Sequence, residues 1–124
     1  GVEEGDYDYV EQLTIGFRIE NAFPLDADLS FYFEDSTGAI LDSAHIALFD
    51  AAAINSNGDV IAPAKGDRYL DFTNESIKNM LKSDAIRIKV VLNTSNDGND
   101  IVRLLTSYYI DLIIGAKAKL NYDL

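Results

Sequence analysis

The chain reads as an all-β protein, an immunoglobulin-like two-sheet antiparallel β-sandwich of about seven or eight strands with one short crossover helix near residues 74–82. Three observations predict this. Apolar and polar residues alternate through most of the chain, the period of strands with one buried face. Clusters of Asp, Asn, Ser and Gly punctuate those runs at short intervals. Helical spacing occurs in a single segment, too short to stand unsupported.

The first eleven residues, GVEEGDYDYVE, carry Glu3, Glu4, Asp6, Asp8 and Glu11 and no basic residue. They read as a solvated acidic terminus or linker, residues 1–11, ahead of a single domain over residues 12–124. The alternative is that Tyr7 and Tyr9 start the first strand early. In that strand Leu13, Ile15, Phe17 and Ile19 face one way, and Thr14, Gly16, Arg18 and Glu20 the other. After a connection over Asn21–Asp28 the pattern resumes, with Leu29, Phe31 and Phe33 inside and Ser30, Tyr32 and Glu34 outside. Asp35-Ser36-Thr37-Gly38 is a compact turn, so the strand starting at Ala39, Ile40 and Leu41 closes a hairpin.

The apolar segment Ala44–Ile54 offers Ile46, Leu48 and Phe49 to the core. Asn57-Gly58 suits a tight reversal, because both residue types tolerate positive φ. Val60 and Ile61 return from it, and Pro63 ends that strand by removing a donor. Thr73 then stands as an N-cap, with Phe72 and Ile77 at the two positions of a hydrophobic staple. Ile77, Met80 and Leu81 have the i, i+3, i+4 spacing of a helix over Asn74–Lys82. Ile86, Ile88, Val90 and Leu92 form the dry face of the next strand, and Arg87 and Lys89 its wet face.

Asn93–Asp100 is a polar loop. Ile101–Leu124 has the longest extended pattern: Tyr108, Ile110, Leu112 and Ile114 share a face that Ala116, Ala118, Leu120 and Tyr122 continue. Gly115 is placed for a bulge or bend in it.

Composition bounds the function. The 124 residues fit one core, and 48% hydrophobic with 25% charged residues is globular composition. Ten basic against 21 acidic residues leave a net charge of -11, which repels nucleic acid and anionic lipid. Without cysteine there are no disulfides, zinc–thiolate sites or thiol catalysis. No apolar run approaches the roughly 20 residues of a membrane helix, so no membrane-spanning segment is expected in this chain. It begins with Gly1, as a processed piece of a longer protein does.

No residue earns a catalytic, cofactor-binding or metal-binding role. His45, the one histidine, lies in Asp42-Ser43-Ala44-His45, which does not bring nucleophile, base and orienter together, and it reads as a strand or turn residue at the sheet surface. Asn93-Thr94-Ser95-Asn96-Asp97-Gly98 imitates a calcium loop, but its twelfth position is Leu104 where a bidentate glutamate is required. A weaker cation site on Asp97 and Asp100 is the alternative to a plain hairpin loop. No two of the 21 acids stand out as a hydrolytic pair. The seven tyrosines, Tyr7, Tyr9, Tyr32, Tyr69, Tyr108, Tyr109 and Tyr122, suit cross-strand packing, or a glycan platform with Tyr32 and Tyr109 outward.

The run IGFRIENAFPLDADLSFYFEDSTGAILDS, with Asn21, Phe23 and Pro24 as its distinctive positions, resembles domains of uncharacterised cell-surface lipoproteins from Bacteroidetes. The ending YYIDLIIGAKAKLNYDL is similar to the closing strands of the same proteins. The order Asn21-Ala22-Phe23-Pro24 also has a fainter likeness to the Asn-Pro-Phe sandwiches of desiccation-associated proteins. The resemblance implies an exported domain at the cell surface or in the periplasm, lipid-anchored through a part outside this chain, with no catalytic residues and no cofactor. The expected function is a non-enzymatic scaffold or recognition domain with a protein or glycan ligand and a neighbouring domain. The alternatives are a carbohydrate-binding module with a tyrosine platform and a pilin- or adhesin-like subunit that assembles by strand exchange.

Overall fold

A computed structural model of the chain describes residues 10–120. Its elements are β1 (Val10–Asn21), β2 (Leu25–Glu34), β3 (Ile40–Phe49), β4 (Ala53–Ile54), β5 (Val60–Ala62), β6 (Ala64–Thr73), α1 (Asn74–Lys82), β7 (Ala85–Thr94) and β8 (Ile110–Leu120). All strand pairs are antiparallel. One three-stranded sheet has the order β6-β1-β8, the other β3-β2-β7, and β4 and β5 form a separate hairpin. The expected all-β, sandwich-like fold with eight strands and one short helix is therefore present.

The two central strands are consecutive in sequence yet lie in different sheets. Alternation turns their odd-numbered residues inward, so Phe17 and Ile19 of β1 meet Ala27 of β2 with Ile46 and Leu48 of β3 in one buried cluster. A second cluster joins Phe33, Phe72 and Ile77, with Leu13 and Met80 packed against it. Phe72 and Ile77 flank the first turn of α1 as the staple requires, and the Thr73 hydroxyl accepts from the Ser76 N–H at 3.2 Å. The helix thus closes one end of the sandwich by the contacts its sequence announced.

Several boundaries differ from expectation. The β1–β2 connection is Ala22-Phe23-Pro24, not Asn21–Asp28: β2 begins at Leu25, because Asp26 and Asp28 alternate around the buried Ala27. β6 is hidden by Gly66 and Arg68 on its inner face, where Arg68 reaches from this edge strand to β3 and donates from Nε to the Ala47 carbonyl at 3.1 Å. Residues 101–109 form no strand, and β8 starts at Ile110. Gly115 makes no bulge; it pairs in register with Gly16, and the irregularity in that pair lies between Val10 and Gln12. β1 begins at Val10, so only the last two residues of the 1–11 segment are described; Tyr7, Tyr9 and Tyr122 lie outside the described residues.

The pairing scheme follows the immunoglobulin pattern up to its last strand. There, strand B pairs with E, strand C with F, C′ flanks C, and G flanks F. Here β1 takes the place of B, β2 of C, β3 of C′, β6 of E and β7 of F. β8 departs from it: it pairs with β1 in the opposite sheet, where strand A would lie. Among the described residues nothing pairs with the second edge of β7, the place of strand G.

Candidate functional site

One end of the sandwich is fixed by Asn21, which is fully buried. Its Nδ2 lies within hydrogen-bonding distance of the carbonyls of Phe23 (3.1 Å), Leu25 (3.0 Å) and Asp50 (2.9 Å), and its Oδ1 accepts from the Phe23 N–H at 2.9 Å. The Ala22 N–H donates to Tyr109, and the Ala52 N–H to Phe23. The Asn21-Ala22-Phe23-Pro24 joint therefore ties β1, β2, the end of β3 and the approach to β8 into one knot. Pro24, also fully buried, fixes its φ.

The long connection from β7 to β8 is anchored at the same end. Gly58, at φ +80°, accepts at its carbonyl from the Arg103 N–H at 2.9 Å, and a Cβ there would lie 2.7 Å from the Ile101 carbonyl oxygen. No other residue fits that approach. The Tyr108 hydroxyl accepts from the Val60 N–H at 3.0 Å, and its ring meets Phe23 edge-on at 6.0 Å. β8 is thereby delivered to the edge of β1 and away from β7.

The consequence is an open side. The inner row of β7, which the sequence places in the dry interior, is instead exposed: Ile86 58%, Ile88 57%, Val90 53% and Leu92 54%. The inner row of β8 is too, with Ile110 and Leu112 at 42%, Leu120 at 48% and Ile114 at 60%. Eight large apolar side chains, each about half exposed, match or exceed the roughly 300–600 Å² that is the largest patch of a typical monomer. Large uncovered patches of this kind mark interaction surfaces.

Charge distinguishes this side from the rest of an acidic chain. β7 carries Arg87 and Lys89 and no acid; β8 carries Lys117 and Lys119 against Asp111. Arg87 stacks on Tyr32 at 4.8 Å and pairs with Glu34 at 3.0 Å, and Lys119 pairs with Glu11 at 3.6 Å. Lys89 and Lys117 have no carboxylate partner among the described residues.

The outer face of the β6-β1-β8 sheet, which also carries Lys117, pairs most of its other charges across strands. Arg18 pairs with Asp67 at 3.3 Å and Lys65 with Glu20 at 3.1 Å, around an open depression that Asp111 and Ile113 complete. The Tyr109 hydroxyl donates to Glu20 at 2.8 Å. That bond first, and then Lys65, holds the Glu20 carboxyl below its ordinary range, and Glu20 in turn raises the Tyr109 hydroxyl.

The residues singled out from sequence do not converge. Tyr32 lies on the outer face of the β3-β2-β7 sheet and Tyr109 beside the other sheet, so they form no common platform; Tyr69, 66% exposed, lies alone over Gly16. His45 is an exposed strand residue, its Nδ1 3.2 Å from the Ser30 hydroxyl. In the Asn93–Asp100 loop, the Ser95 hydroxyl donates to the Asp100 carboxylate and the Thr94 hydroxyl to the Asp100 carbonyl. Among the described residues no three His, Cys, Asp or Glu side chains gather to hold a metal ion, and no helix is long and apolar enough to cross a membrane. Nothing in the alternation of β7 and β8 signals that they stay uncovered. The chain matches no protein-family model, no curated protein and no solved structure with which it was compared.

Proposed function

We propose that the chain is a non-enzymatic scaffold or recognition domain of an exported, envelope-attached protein, and that it recognises a polypeptide through the open side between β7 and β8. One observation carries this: the inward apolar rows of β7 and β8 are each about half exposed, and the second edge of β7 pairs with nothing among the described residues. Unpaired edges next to apolar rows are where proteins add a strand from a partner. The exported setting is supported by the sequence likeness around Asn21, Phe23 and Pro24.

The test is site-specific photo-cross-linking in cells that produce the full-length protein. A photoreactive amino acid in place of Ile88 gives a discrete protein adduct in the envelope fraction, and the same probe in place of His45, on the outer face of β3, gives none. A protein retained in the cytosol, or free of adducts at position 88, contradicts the reading.

A further inference from the structure

We infer that the site beside β7 takes an extended strand whose side chains alternate between apolar and acidic; this rests on the reading just given and names the chemistry of the partner. The first ground is topological. β2, β3 and β7 hold the places of C, C′ and F, and β8 has gone to the opposite sheet, so a strand added at the second edge of β7 completes the pattern. Its inward side chains would extend the Ile86, Ile88, Val90 and Leu92 row of β7, on the face that the β2–β7 pairing turns inward.

The second ground is charge. An added strand sets its outward side chains directly beside those of its neighbour, where opposite charges attract and like charges repel. The outward neighbours on β7 are Arg87 and Lys89, with no acid in that strand. Glu34 already pairs with Arg87, whereas Lys89 has no carboxylate partner among the described residues. Acidic outward residues thus meet a cation that has no carboxylate partner among the described residues, in a chain of net charge -11. Two copies meeting through these sides would bring their basic strands together, which disfavours a second copy's open side as the occupant.

The test uses two synthetic peptides of about ten residues, the length needed to run along β7 at roughly 3.3 Å per residue. One alternates Val and Glu, the other Val and Lys. The acidic peptide binds the domain at least about tenfold more tightly, with affinity falling as salt rises, and slows amide exchange in β7. Lys89→Glu reduces its binding about tenfold, more than Lys117→Glu does, and Ile88→Asp removes it.

Equal binding of both peptides, or binding of neither to the folded domain, overturns the inference. So does a dimer in sedimentation whose β7 and β8 amides are protected without peptide, which makes a second copy the occupant. Failure of both peptides alongside a persistent cross-link at position 88 defeats the strand chemistry alone. Loss of the cross-link defeats the recognition reading itself.

Discussion

The two sides of the sandwich are built from the same alternation and end in opposite states. Where β3 and β6 approach each other, Ile46, Leu48 and Phe72 are buried, Arg68 ties the two strands through the Ala47 carbonyl, and α1 closes the end with Ile77. Where β7 and β8 lie, Ile88 and Ile114 repeat the same apolar period and remain more than half exposed. Alternation dictates which face of a strand is apolar. Whether that face is covered depends on where the chain sends its neighbours, and here β8 is sent to β1.

The largest difference between the two sides is expected in the core. Phe33→Ala on the closed side is expected to cost about 3–5 kcal/mol of unfolding free energy, and Ile88→Ala on the open side less than about 1 kcal/mol. Urea denaturation measures both, and similar losses would erase the distinction between the sides. Next in size is Asn21→Ala, which strands the carbonyls of Phe23, Leu25 and Asp50 around a buried hole. At about 1–3 kcal/mol for an unsatisfied buried group, a loss on the order of 2–4 kcal/mol is expected. The same denaturation series would place it. A smaller effect, about 1 kcal/mol, is expected for Thr73→Ala, which removes the cap that starts α1; thermal melting reads it as a lowered midpoint.

The smallest effect is a pH dependence at the β2–β3 turn. There the Asp35 carboxylate accepts from the Thr37 hydroxyl and from the Thr37 and Ala39 N–H groups, while Gly38 turns the chain at φ +85°. The Thr37 hydroxyl first, and then its N–H, holds the Asp35 carboxyl below the ordinary aspartate value. A carboxyl lowered in the folded state stabilises the fold above its unfolded value, about 3.9, and loses that contribution as pH falls through the folded value. Asp35→Asn should flatten the decline in stability below about pH 4, and an unchanged acid limb in denaturant titrations would remove the turn from the account.

Much of the closed side was legible in the sequence. Thr73, Phe72 and Ile77 announce the helix because capping and stapling are local, and Asp35–Gly38 announces its turn for the same reason. Asn21, Phe23 and Pro24 stood out as a family marker, yet the role of Asn21 was hidden because one of its partners, Asp50, is 29 residues away. β6 was obscured by Arg68, an inward residue on an edge strand whose guanidinium reaches out to the Ala47 carbonyl and the Asp50 carboxylate. The open side was not legible at all. Ile86–Leu92 looks the same in sequence whether or not a strand covers it, since exposure there is set by the pairing of β8 some twenty residues later.

Amide hydrogen exchange resolved along the isolated domain distinguishes an open β7 edge from a closed sandwich. Central amides of β1 and β2 are expected to exchange slowest and those of β7 facing its second edge rapidly, with the acidic alternating peptide selectively slowing the latter. Protection of both edges of β7 in the isolated monomer, at the level of β1 and β2, would show a sandwich already closed and would contradict it.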